Sequence, residues 1–212
     1  MNKEQIIEWY KKNKPAIKET VETTVFVITM VILIRFFVCE LRWIPSGSMK
    51  PTLIEGDRIV VERFTRFYSA PKRGDIMVFY PPFEKISNSP VKVFTRLLGL
   101  FCKDVAYIKR VVGVPGDKVQ IKEDKNGKYT VYINDKPLDE PYIMSPYDFT
   151  PCSETVNCGP FTIPKGKYFM MGDNRGSSFD GRFWGLLPQD RFVGRAVVIF
   201  WPLNRLRILN SK

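Results

Sequence analysis

No histidine occurs anywhere in the 212 residues. That absence removes Ser-His-Asp and Cys-His catalysis, together with every metal site that relies on imidazole. A hydrolase built on this sequence must take its base from Lys, Asp, Glu or Tyr. Cysteine is sparse too. The four present lack paired Cys-x-x-Cys spacing, and Cys39 and Cys102 sit among apolar residues, so neither a structural metal nor a cofactor is expected. Basic helices, zinc fingers and stacking-aromatic motifs are missing as well. The net charge of +11 is scattered along the chain and is therefore not read as a nucleic-acid interface. Attraction to anionic lipid headgroups, about 1 kcal/mol per well-placed Lys or Arg, fits it better.

What remains is a packed, turn-rich chain: 44% hydrophobic, 14% aromatic, with Pro and Gly supplying 30 of the residues. Its length allows one ordinary core and a small satellite. Residues 1–20 are polar, with Lys3, Lys11, Lys12, Lys14 and Lys18 outnumbering Glu4, Glu8 and Glu19. Thr23 to Ile34 carries no charge, and after Arg35 the apolar run resumes as Phe36-Phe37-Val38-Cys39. With Arg35 snorkelling to the headgroups, this run approaches the ~17 residues needed to span a bilayer. Lysines precede it and interfacial aromatics, Trp43 included, follow it, so residues 21–39 are expected to form one membrane anchor. The lysines place residues 1–20 in the cytoplasm and everything after about residue 40 outside. No small-residue cleavage site follows the run, so the anchor should be retained.

Beyond residue 40 the pattern is β. Gly-Asp pairs at 56–57, 74–75 and 116–117 each lead into a β-branched or aromatic run, and a fourth occurs at 172–173. Asn126-Gly127 between Val119-Gln120-Ile121 and Tyr129 to Ile133 signals a two-residue hairpin. Ala196 to Trp201 reads as a last buried strand. Residues 134–162, rich in proline, read as an irregular excursion from the main body. They hold Cys152 and Cys158, which enclose five residues on the expected outer face and are expected to be bonded, free thiols being the alternative. The fold expected is mainly β: an antiparallel catalytic core over 40–115 and 162–212, with a smaller inserted β region at 116–161, on one transmembrane helix.

Three segments carry chemistry. In Trp43 to Leu53, two small hydroxyl residues flank a glycine between prolines, a sharp exposed turn that suits a nucleophile at Ser46 or Ser48 and suits an ordinary loop equally well. In Tyr107 to Asp117, strand alternation sets Lys109 on one face with Val105, Tyr107 and Val111, and Arg110 on the other with Ile108 and Val112. An amine among apolar neighbours loses part of its preference for charge and can act as a base near neutral pH; the alternative is a lysine that snorkels to solvent at the margin of a sheet. In Met170 to Gly185, small, hydroxyl and charged groups share one loop, where Asp180 and Arg182 could pair and Ser178 could bond a buried amine.

Together Ser46-Gly47-Ser48-Met49-x-Pro51-Thr52-Leu53, Tyr107-Ile108-Lys109-Arg110 and Gly172-Asp173-Asn174-Arg175-x-x-Ser178-x-Asp180-x-Arg182 resemble the bacterial type I signal peptidase family in order and chemistry. The resemblance covers residues 21–205. It implies a Ser-Lys dyad protease with Ser48 as nucleophile and Lys109 as base. Ser46 and Ser48 would form the oxyanion hole, Ser178 would orient Lys109, and Asp173, Asp180 and Arg182 would brace the third segment. Ile44, Met49, Leu53, Tyr107 and Ile108 would shape shallow pockets for small residues at positions −1 and −3 of membrane-bound preproteins. Gly176-Ser177 and Gly181 depart from the Asp-Asn and Ser frequent in other members. The location implied is the bacterial inner membrane, single-pass, with the catalytic part on the extracytoplasmic side. The other readings are a self-cleaving Ser-Lys protease and a non-enzymatic envelope adaptor with the same fold.

Overall fold

The computed structural model describes residues 3–34, 38–64, 68–84, 89 and 106–209. Helix α1, Lys3–Leu33, is followed by strands β1 (Cys39–Trp43), β2 (Arg58–Glu62), β3 (Ile76–Phe79), β4 (Tyr107–Gly113), β5 (Lys118–Glu123), β6 (Tyr129–Ile133), β7 (Lys136–Pro137), β8 (Phe161–Thr162), β9 (Lys167–Met171), β10 (Leu187–Pro188), β11 (Phe192–Trp201) and β12 (Arg207–Ile208). One sheet runs β1-β2-β11-β3-β4-β9-β10 with β12 added to β11, and a second runs β7-β6-β5-β8. Every named strand pair is antiparallel.

The expected strands after the first three Gly-Asp pairs are present, and one repeated turn explains them. Gly56, Gly74 and Gly116 have φ near +91°, a region open to glycine. In each case the following Asp accepts from the amide three residues earlier: Ile54 to Asp57, Lys72 to Asp75 and Val114 to Asp117. Its own N–H returns a bond to the carbonyl of that same residue. The turn therefore closes on itself before the strand begins. Asp57 and Asp117 then pair with Arg205 and Arg73, tying the turns to distant segments.

The N-terminus differs from the membrane-anchor expectation. Among the described residues no helix is long and apolar enough to cross a membrane. The uncharged part of α1 is short: eleven residues from Thr23 to Leu33 rise about 16 Å, against a hydrocarbon core of about 30 Å. Cys39, expected at the anchor's end, instead opens β1, where it pairs with Glu62. Arg35 to Phe37 lie outside the described residues, as do Cys102 and Val105. Yet Val25, Phe26, Val27, Ile28, Met30, Val31 and Leu33 are all exposed, so among the described residues the apolar end of α1 is left largely uncovered.

Residues 134–162 carry only the short strands β7 and β8 as named strands. The segment carries little strand but docks onto the main sheet's loops: Met144 N–H donates to the Asp173 carbonyl (3.1 Å) and Asn157 N–H to the Arg182 carbonyl (2.8 Å). A disulfide joins Cys152 to Cys158 within it. Proline supplies the irregularity, and these backbone bonds supply the docking.

The repeated turn gives a clean test. A Cβ at Gly116 meets nothing within 4 Å, so Gly116→Ala changes only backbone strain and should cost about 1–2 kcal/mol in urea unfolding. Gly113→Ala has no left-handed strain but drives a Cβ to 2.4 Å from the buried Ile163 Cδ1, and should also cost about 1–3 kcal/mol by overpacking. Truncating Ile163 to Ala should relieve the second loss and leave the first unchanged; relief of both would contradict the assignment.

Candidate active site

Lys109 sits in β4, a strand flanked by β3 and β9 and opposite Met77 in register. It is 4% exposed. Its Nζ donates to Ser48 Oγ at 2.7 Å and to the Ile108 carbonyl at 3.1 Å, with the Tyr107 ring centroid 5.6 Å away. Removal from water pulls the amine's pKa down to about 8, although the Asp180 and Asp173 carboxylates pull the other way. The apolar face anticipated for Lys109 is therefore accompanied by two nearby anions that strand alternation gave no means of seeing.

Ser48 lies in a single 3-10 turn, Gly47–Met49, and is buried. Ser46 Oγ stands 3.4 Å from Ser48 Oγ on the exposed side. The structure thus brings Ser46, Ser48 and Lys109 together. Gly172 lets the third segment approach them closely: a Cβ there would fall 2.3 Å from Ser178 Oγ and 2.4 Å from the Ser48 carbonyl oxygen. Of the four Gly-Asp pairs this one serves close approach, not a positive-φ turn.

The hydrogen bond expected between Ser178 and Lys109 is not formed. Ser178 Oγ is buried without a hydrogen-bond partner, while the amine spends its donors on Ser48 and the Ile108 carbonyl. The described hydrogen bonds of the amine run to Ser48 and to the carbonyl of its own strand neighbour Ile108. Of the residues expected to line substrate pockets, Ile44, Met49 and Leu53 are buried in one apolar cluster with Ile108 at its margin, and Met49 and Leu53 are closed to solvent. Tyr107, only partly buried, belongs to the neighbouring cluster. Met49 and Leu53 therefore support the turn from beneath, and Tyr107 is the most exposed of the five.

Asp173, Asp180 and Arg182 take part in a wider network of buried ion pairs and hydrogen bonds. Asp173 takes both Arg110 Nε (2.8 Å) and Nη2 (2.6 Å), and also the Thr52 hydroxyl. Asp180 takes Arg182 Nε (2.9 Å) and Nη2 (3.0 Å) and the Gly172 amide (3.0 Å). Arg175 is fully buried and pairs in two-pronged fashion with Glu140, which also accepts from the Tyr142 phenol. Burial pushes that phenol well up. The Arg110 guanidinium stacks 3.8 Å over the Tyr142 ring, and Arg182 lies 4.9 Å over Phe149. Arg110, Glu140, Tyr142, Phe149 and Arg175 were not among the expected site residues. Arg110 stood next to Lys109 in the motif, but Glu140, Tyr142 and Phe149 come from the irregular segment, where no periodicity marks them.

The lowered amine fixes a stability effect whose sign can be worked out. Below about pH 8 both folded and unfolded chains hold the Lys109 proton, and the folded state bears the full cost of burying it. Between about 8 and ~10.4 the unfolded chain binds the extra proton, so stability rises with pH across that window. Lys109→Met should accordingly be more stable than the parent at pH 7 by up to ~3 kcal/mol, with the margin shrinking from pH 8 to 10. A margin that does not change with pH would show that the amine is not desolvated.

A buried amine at hydrogen-bond distance from a serine, beside a second serine, is one part of the identification; comparison with known proteins is the other. Residues 17–201 match the family described as "Signal peptidase, peptidase S26". Signal peptidase I of Leptolyngbya laminosa is 39% identical over 188 residues, covering 89% of this chain and 81% of the relative. The probable signal peptidase I-2 of Synechocystis sp. is 38% identical, covering 95% and 82%. Signal peptidase I T of Bacillus subtilis (strain 168) is 35% identical, covering 93% and 92%. With a match that runs through all three chemical segments, the chain belongs to the signal peptidase family, peptidase S26.

Proposed function

We propose that this signal peptidase removes N-terminal signal peptides from membrane-bound preproteins by a Ser48/Lys109 dyad, at the outer face of a bacterial cell membrane. The observation that carries the mechanism is the 2.7 Å contact between Lys109 Nζ and Ser48 Oγ, with the amine's pKa drawn to about 8. While protonated the amine donates in that contact; once neutral it accepts the hydroxyl proton. Ser48 Oγ then attacks the scissile carbonyl. Ser48 N–H and the Ser46 hydroxyl receive the developing oxyanion. Collapse expels the new N-terminal amine of the mature protein, which takes the proton back from Lys109. The acyl group left on Ser48 Oγ is hydrolysed by water that Lys109 deprotonates.

The small residues preferred at −1 and −3 would lie against Tyr107 and Ile108. The exposed apolar end of α1 would enter the bilayer as the single anchor, residues 1–20 staying cytoplasmic. Leu41 and Trp43 of β1 are exposed apolar residues as well. From Val38 to Ser48 an extended chain reaches ~35 Å at most, so catalysis would take place close to the membrane, where a signal peptide's apolar segment still resides. Residues 40–115 and 162–212 would form the catalytic body, with 116–161 as its insertion.

Cleavage of a preprotein by detergent-solubilised protein tests the reading. Ser48→Ala and Lys109→Met should both abolish turnover, and Lys109→Arg should fail as well because guanidinium keeps its proton. The parent's rate should rise with pH and level off above about 8. Folded Lys109→Met that still cleaves would assign the base elsewhere. Separately, Ser46→Ala should lower kcat by ~10²–10³ with little change in KM, and Ser46→Thr should lose less because a hydroxyl remains. Equal losses in the two would make Ser46 a packing residue.

A further inference from the structure

Within the loop Gly172–Arg182, one residue offers the Ser48 turn two donors. Asn174 N–H donates to the Ser48 carbonyl at 3.2 Å, and Asn174 Nδ2 donates to the Gly47 carbonyl at 3.1 Å. Asn174 is buried, and its amide oxygen has no hydrogen-bond partner, so the donor end alone fixes the side chain. These two acceptors are the carbonyls on either side of Ser48. Because a peptide unit is planar and trans, the direction of the Gly47 carbonyl fixes the opposite direction of the Ser48 N–H. Whatever grips that carbonyl also aims the amide.

We infer that Asn174 is the positioning residue of the main-chain half of the oxyanion hole: its side-chain amide, by holding the Gly47 carbonyl, aims the Ser48 N–H at the developing oxyanion. The inference rests on Ser48 being the nucleophile. A second donor to the same carbonyl, the Lys50 amide at 3.1 Å, belongs to the turn itself and fixes its pitch. Asn174 adds a tether from a different segment, so the turn cannot rock against β4 and β9. Donation to the Gly47 carbonyl also polarises the same peptide unit, strengthening its N–H as a donor. Neither effect involves the amine, and neither touches ground-state binding of the peptide.

The test is kinetic. Asn174→Ala and Asn174→Ser both keep the backbone bond to the Ser48 carbonyl and lose reach to Gly47, and the serine variant serves should the alanine variant not fold. With preprotein as substrate, the folded variant should lose ~10- to 100-fold in kcat while KM stays within about twofold. The apparent pKa of the rate profile should stay at the parent value, because Lys109 is undisturbed. A kcat within twofold of the parent would overturn the inference. So would a rise in KM at unchanged kcat, which would mark a substrate contact, or a loss recovered at higher pH, which would mark a disturbed base. Ser48→Ala, assayed in parallel, separates the two levels: an inactive control with fully active Asn174 variants removes only the positioning role, whereas an active control removes the nucleophile and the inference with it.

Discussion

Keeping the Lys109 amine out of water is the constraint around which the rest of the site is arranged. An amine in solvent is nearly all charged at neutral pH, and in a dry apolar pocket it would lose its charge but also its aim. Here the balance is intermediate: burial lowers the pKa to about 8, and Asp173 and Asp180 limit the fall. Those carboxylates do not compensate Lys109 directly, because each is already held by its own arginine.

That arrangement explains why so much charge is buried around one amine. A buried ion pair is costly unless its geometry is good and its remaining hydrogen-bonding capacity is met. Arg110, Arg175 and Arg182 each meet a carboxylate with both prongs, and each has an aromatic ring against it: Tyr142 for Arg110, Phe149 for the other two. The pairs therefore act as rigid struts between segments far apart in sequence, while their net field on Lys109 stays small enough for desolvation to dominate.

Part of this was legible in the residues. The repeated Gly-Asp turns announced β2, β3 and β5 because the turn is local: glycine supplies the backbone and the aspartate closes it three residues back. Lys109 and the Ser46-Ser48 pair were legible as chemistry, although choosing Ser48 over Ser46 required the family pattern. Strand β9 was missed because Met170 and Met171 led into a loop that dominated the reading of that stretch. Glu140, Tyr142 and Phe149 were invisible for a different reason: their roles arise where an aperiodic segment folds back, and no local pattern encodes a partner some 35 residues away. The anchor expectation counts Thr23 to Cys39 as one run across Arg35, whereas α1 ends at Leu33 and Cys39 belongs to β1.

The docking of the irregular segment has a consequence for motion. The Glu140–Arg175 pair and the backbone bonds from Met144 and Asn157 hold that segment against the same loop whose Asn174 holds the Ser48 turn. Neither layer can lift without stripping partners from the other. The cover, the loop and the Ser48 turn then form one cooperative opening unit, whose amides would exchange with solvent together and not as three independently fraying loops.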